Sequence, residues 1–177
     1  MKKILAFAGS NSSSSINKQL VTYVASMVNG ADVSVIDLNE YALPMYGIDI
    51  EQNEGFPDTL VNLLSEIKSA DGLLIAVNEH NGSLSAFFKN IIDWLTRIDY
   101  NFLEGKRIVL MSTSPGKRGG LTALEYISDF LPRIKAEVIA SIAVPSFNEN
   151  FSAETASITN QEVVSKFQKA IEDLLSE

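Results

Sequence analysis

Five short β-rich runs alternate with five segments of helical periodicity along the chain, and this alternation restricts the possible folds more than any other feature. Strands joined by crossover helices pair in parallel, whereas hairpin-joined strands pair antiparallel, so an alternating βα chain builds a parallel sheet. The runs are Lys3–Ala8, Asp32–Asp37, Gly72–Val77, Arg107–Thr113 and Glu137–Val144. Several are continuously apolar, as strands covered on both faces must be. Helical stripes at i, i+3, i+4, i+7 follow: Ile16, Leu20, Val21, Val24, Met27, Val28; a weaker one at Leu60, Leu63, Leu64, Ile67; and Leu84, Phe87, Phe88, Ile91, Leu95, Ile98. A further stripe at Leu121, Leu124, Ile127, Leu131 stops at Pro132, and the last, Val163 to Leu175, is preceded by the cap candidates Thr159-Asn160.

Right-handed crossovers favour a three-layer, flavodoxin-like α/β fold, with five parallel strands in the order 2-1-3-4-5 and helices on both faces. The length, 177 residues, suits a single domain over 1–177. In such sheets ligands bind beyond the carboxyl ends of the strands where strand order reverses, which singles out the loops after Ala8, Val77 and Thr113. The connection Leu38 to Phe56, with Pro44, Gly47 and Gly55, is long for a compact domain and is expected to overhang the site.

Charge and composition limit the chemistry. Lys+Arg 14 against Asp+Glu 22 gives a net charge of −8, without the long-range field that attracts nucleic acid or anionic membranes. A bound phosphate must therefore be held by local geometry. With Cys 0 and His 1 there is no thiolate nucleophile, no disulfide framework and no metal site built on cysteine or clustered histidine. The apolar run from Ile4 stops at Gly9, too short for a signal peptide, and no stretch reaches the roughly 18 apolar residues of a membrane span. A cytoplasmic location is expected.

The first loop, Gly9-Ser10-Asn11-Ser12-Ser13-Ser14-Ser15-Ile16-Asn17, is rich in hydroxyls and amides at a helix N-terminus, where unpaired N–H groups and the helix dipole favour an anion. It can equally be an N-cap and a serine turn. The second, Asn78-Glu79-His80-Asn81-Gly82-Ser83, carries an Asn-Gly turn signal, and the third, Ser112 to Gly120, again mixes hydroxyls with glycines. No Gly-Lys-Ser/Thr phosphate loop, no three-glycine dinucleotide fingerprint and no Gly-x-Ser-x-Gly elbow is present. A lone histidine supports no Ser/His/Asp triad, so a cofactor carrying its own reactivity suits these loops better than hydrolysis.

Taken together, Gly9-Ser10, Ser15-Ile16-Asn17, Glu79-His80-Asn81-Gly82-Ser83, Phe88-Lys89-Asn90-Ile91-Ile92-Asp93-Trp94 and Ser114-Pro115-Gly116-Lys117-Arg118-Gly119-Gly120 resemble the NAD(P)H-dependent FMN reductase family, which includes quinone, azo-dye and chromate reductases. Leu43-Pro44-Met45-Tyr46 and Glu54-Gly55-Phe56-Pro57 extend the resemblance over nearly the whole chain. It implies FMN as cofactor, NADPH or NADH as co-substrate, a small-molecule electron acceptor, and a homodimer or homotetramer touching through the Trp94-bearing helix or the Leu38 to Phe56 loop. It also implies phosphate contacts from Ser10, Ser12, Ser15, Ile16 and Asn17, and ring-side contacts from Asn78, Glu79, His80, Asn81, Gly82 and Ser114, with no side chain assigned to catalysis. Ser15→Ala with Asn17→Ala is then expected to weaken FMN binding and leave the fold intact. Where the family often has arginine, proline, tyrosine and proline, this chain has Ser12, Asn78, His80 and Ser85. The missing arginine removes a charge-assisted contact worth about 1.5–3 kcal/mol, and His80 in place of tyrosine changes the flavin-facing surface. Two alternatives remain: an FMN electron carrier that does not oxidise nicotinamide, and a non-enzymatic interaction protein on the same fold.

Overall fold

The computed structural model describes residues 1–176. Its main sheet contains β1 (Lys3–Ala8), β2 (Asp32–Val35), β3 (Gly72–Val77), β4 (Arg107–Thr113) and β5 (Glu137–Val144). They lie side by side as β2-β1-β3-β4-β5 with every pairing parallel, the expected order. The register runs Ile4 with Gly72 through Ala8 with Ala76, and Gly72 with Arg107 through Val77 with Ser112. The carboxyl ends of β1, β3 and β4 therefore finish nearly level, and their three loops share one edge.

Side-chain alternation divides the core into two layers. Leu5, Phe7, Leu73 and Ile75 face one side, where they meet α3 (Asp58–Ser69), α4 (Ala86–Ile98) and α5 (Leu121–Phe130). Ile4, Ala6, Leu74 and Ala76 face the other, against α1 (Ile16–Ser26), α6 (Phe147–Asn150) and α7 (Gln161–Leu175). The central strands β1, β3 and β4 are buried nearly end to end, whereas the edge strand β2 is mostly exposed and β5 largely part-exposed. This explains why only the central runs read as unbroken apolar stretches. Asn160 caps α7 as anticipated, its Oδ1 accepting from the N–H groups of Glu162 and Val163.

Two expectations need correction. The second strand ends at Val35, not Asp37, because the Asp37 carboxylate accepts from Asn39 N–H and caps a 3-10 turn at Leu38–Tyr41. The Leu38 to Phe56 segment is also not an open loop above the sheet edge. It contains that turn and α2 (Ile48–Glu54), and it lies along α4. Pro44 C=O accepts from Asn90 Nδ2 at 3.0 Å and from Trp94 Nε1 at 2.8 Å, while Tyr46 N–H donates to Asn90 Oδ1 at 2.7 Å. The Tyr46 hydroxyl donates to Glu51, which also pairs with Arg97 in a two-point contact. Arg97 hydrogen-bonding and charge hold the Glu51 carboxyl below the usual carboxylate range.

Side-chain ties join the loops at the sheet edge. Asn17, only 3% exposed, donates from Nδ2 to Thr113 C=O at 3.1 Å and accepts from Thr113 N–H at 2.9 Å. Ser85 Oγ donates to Gly9 C=O at 2.8 Å while capping α4 through Phe88 N–H. A Cβ added at Gly9 would stand 2.4–2.9 Å from Cγ, Cδ1 and Cβ of Phe88, so the first loop passes against that ring because residue 9 has no side chain.

Gly9→Ala should cost about 1–3 kcal/mol through overpacking against Phe88. Asn17→Ala strands both the buried N–H and C=O of Thr113 and should cost about 2–6 kcal/mol, at roughly 1–3 for each unsatisfied group. Asn17→Ala is thus not neutral to the fold, contrary to the sequence-based expectation. Urea unfolding followed by fluorescence of Trp94, the one tryptophan, reads both losses.

Candidate functional site

A cleft opens where the three loops meet, enclosing about 240 Å³ and about 550 Å³ with its mouth included. Its walls are Ser10, Ser12, Ser14, Ser15, Ile16 and Asn17 from the first loop, Asn78, Glu79 and His80 from the second, and Thr113, Ser114 and Pro115 from the third. Nine of the eleven residues singled out from the sequence thus lie together. Asn81 and Gly82 do not line the cleft: they form the exposed two-residue tip of a hairpin pairing Glu79–His80 with Ser83–Leu84. Both have positive φ, 53° and 73°, the turn geometry that the Asn-Gly pair signalled. Ser14, Thr113 and Pro115 were missed; their position directly beside Ser15 and Ser114 was the available signal.

The start of α1 is arranged for an anion. Ser15 Oγ accepts from Lys18 N–H at 3.1 Å, and Ser15 N–H donates to Ser12 C=O. Of the four N–H groups that a helix start leaves unpaired, this accounts for two, and those of Ile16 and Asn17 have no partner among the described residues. No acidic residue sits in this first turn. Upstream, the serine loop hydrogen-bonds to itself: Ser12 N–H donates to Ser10 Oγ, Ser14 N–H to Ser12 Oγ, and Ser15 N–H to Ser12 C=O. The nearest cation is unavailable. Lys18 donates to Asp37 at 2.5 Å, a contact that, with Asn39 N–H, holds the Asp37 carboxyl below its ordinary range.

The second loop is less free than its sequence suggests. Glu79 accepts from Ala123 N–H at 3.0 Å and so caps α5, whose own N-cap, Gly120, has no side chain to do so. Asn78 is 9% exposed; its Nδ2 lies 3.3 Å from His80 Nε2, and its Oδ1 is buried without a partner. Across the cleft Ser114 Oγ accepts from Gly116 N–H, and Thr113 Oγ1 donates to Val144 C=O. The site therefore offers neutral donors at one end and an amide–imidazole pair at the other. Among the described residues no group of three or more His, Cys, Asp or Glu is placed to hold a metal, and no helix is long and apolar enough to cross a membrane.

Comparison with known proteins places the chain in a family. Residues 2–150 match the family model for NADPH-dependent FMN reductase. The chain is 36% identical over 115 residues to the quinone reductase of Escherichia coli, covering 65% of this chain and 58% of that protein, so the match spans less than two thirds of that relative's length. It is 29% identical over 153 residues to an NAD(P)H-dependent FMN reductase of Pseudomonas aeruginosa, covering 82% and 81% of the two chains. FerB from Paracoccus denitrificans, a flavoenzyme NAD(P)H:(acceptor) oxidoreductase, superimposes with a TM-score of 0.76 at 23% identity, over 98% of this chain and 95% of that one, and so shares the fold. The chain belongs to the NADPH-dependent FMN reductase family.

Proposed function

We propose that this protein oxidises NADPH or NADH by way of bound FMN and passes the electrons to a small-molecule acceptor such as a quinone, azo compound, metal oxyanion or free flavin. The observation that carries this is the unpartnered pair of N–H groups at Ile16 and Asn17 opening into a serine-lined cleft at the sheet's switch point.

The donor set fits a phosphate monoester. The N–H groups of Ile16 and Asn17 and the hydroxyls of Ser10, Ser12, Ser14 and Ser15 would hold the phosphate, aided by the positive end of α1. Asn17 acts in two ways, since its side chain is spent on Thr113 while its main-chain N–H remains available. Asn78, His80 and Ser114 would border the ring. When bound, FMN would supply reversible two-electron redox chemistry. Tied loops keep the donors in place without reorganisation, and that prearrangement makes neutral groups effective against a dianion.

A second copy of the chain completes the proposed assembly as a homodimer or homotetramer. Trp94 itself is fully buried, so the contact would fall on its neighbours: Met45, 68% exposed, and Ile48 and Phe56 form an apolar surface on the segment pinned to α4.

Stopped-flow mixing of FMN-loaded protein with NADPH or NADH is expected to bleach the flavin, and no bleaching with either would exclude the enzyme. Ser12→Arg restores a charge-assisted phosphate contact and should tighten FMN binding roughly tenfold to hundredfold, from ~1.5–3 kcal/mol. Ser12→Glu places a like charge there and should weaken it. Flavin fluorescence quenching measures both, and two unchanged affinities would refute the phosphate placement.

A further inference from the structure

The geometry points to His80 as the proton donor to the reduced acceptor and to Asn78 as the residue that positions it. This inference rests on the function proposed above. Of the twelve residues lining the cleft only Glu79 and His80 carry titratable side chains, and the Glu79 carboxylate is occupied at Ala123 N–H. Lys18, on the first helix, is paired with Asp37, while Lys117 and Arg118 follow Pro115 on the facing loop and are exposed, outside the cleft wall. His80 is exposed to solvent and lines the cleft.

Asn78 provides the second observation. Its amide meets Nε2 of the ring, so Nδ1 is the nitrogen left to face an acceptor. The neutral ring with its proton on Nδ1 receives the Asn78 Nδ2–H donor at Nε2, and Asn78 Oδ1 is left buried and unpartnered, which ordinarily costs about 1–3 kcal/mol. Protonation puts a hydrogen on Nε2, and a turn of the amide about its last torsion then brings Oδ1 to accept it. The orphan oxygen is thus the partner of the imidazolium, and one amide serves both ring states.

Two-electron reduction of a quinone to the hydroquinone takes a hydride equivalent, drawn from the nicotinamide, and one proton. The His80 imidazolium supplies the proton: the new O–H bond forms as its Nδ1–H breaks, the N–H electron pair stays on the ring, which is left neutral with its hydrogen on Nε2 toward Asn78 Oδ1, and solvent returns a proton to Nδ1. Ferricyanide takes electrons and no proton, so it separates this role from electron delivery.

The test compares FMN-loaded wild type with His80→Gln, using NADPH or NADH with benzoquinone and then ferricyanide. The ratio of benzoquinone to ferricyanide turnover should fall at least tenfold in the variant, since a positioned general acid contributes about 10²–10⁴-fold. Because His80 is the one histidine of the chain, ¹⁵N NMR of the flavin-free protein reads its ring directly. The neutral ring should be the Nδ1–H tautomer in wild type, and Asn78→Ala should abolish that preference. A ratio within twofold of wild type, with flavin bleaching normal, would overturn the donor role alone. A tautomer preference unmoved by Asn78→Ala would overturn the part given to Asn78. A flavin that neither nucleotide bleaches would overturn the proposed function and the donor role together.

Discussion

The two hydrogen bonds between the Asn17 side chain and the main chain of Thr113 hold the sheet edge together. They attach the first turn of α1 to the last residue of β4, two segments 96 positions apart. β3 lies between β1 and β4 in the sheet, so this link spans the mouth of the switch point. Ser85 to Gly9, Glu79 to Ala123 and Thr113 to Val144 continue the linkage around the cleft. Each tie satisfies a main-chain group that would otherwise be unpaired near the strand ends, so the packing of the loops and the stability of the fold depend on the same bonds.

This arrangement makes sense in an acidic chain. With a net charge of −8, the overall field repels an anion, and attraction must come from the few ångströms around the helix start. The one nearby lysine is held away by Asp37, and no carboxylate stands in the first turn of α1. What remains is a set of oriented dipoles whose strength depends on being fixed. Asn17 fixes them: its side chain anchors the turn, leaving its own N–H and that of Ile16 directed outward.

Several features were legible because local rules decide them. Unbroken apolar runs marked the three central strands, Asn160 marked the start of α7, and Asn81-Gly82 marked a two-residue hairpin turn. Other features were not legible. Glu79 reads as a solvated loop carboxylate, yet it caps a helix 44 residues away, because the cap position of α5 is a glycine. The Leu38 to Phe56 segment reads as an overhanging loop from its proline and glycines, but Asn90 and Trp94 draw its main chain along α4, and none of its residues lines the cleft. Asn17 reads as a ligand donor from its type and place, and its side chain proves to be a structural anchor.

The amino-acid sequence alone determined the βα alternation, and with it the parallel sheet, the strand order and the three loops at the switch point, because periodicity and crossover handedness are local or topological properties. Only the tertiary structure decided which polar groups are already engaged. That assignment depends on pairings between distant segments: Asn17 with Thr113, Glu79 with Ala123, Lys18 with Asp37, and Asn78 with the lone imidazole. A polar side chain's type records what it can donate or accept, and packing alone determines whether that capacity is used within the protein or left for a ligand.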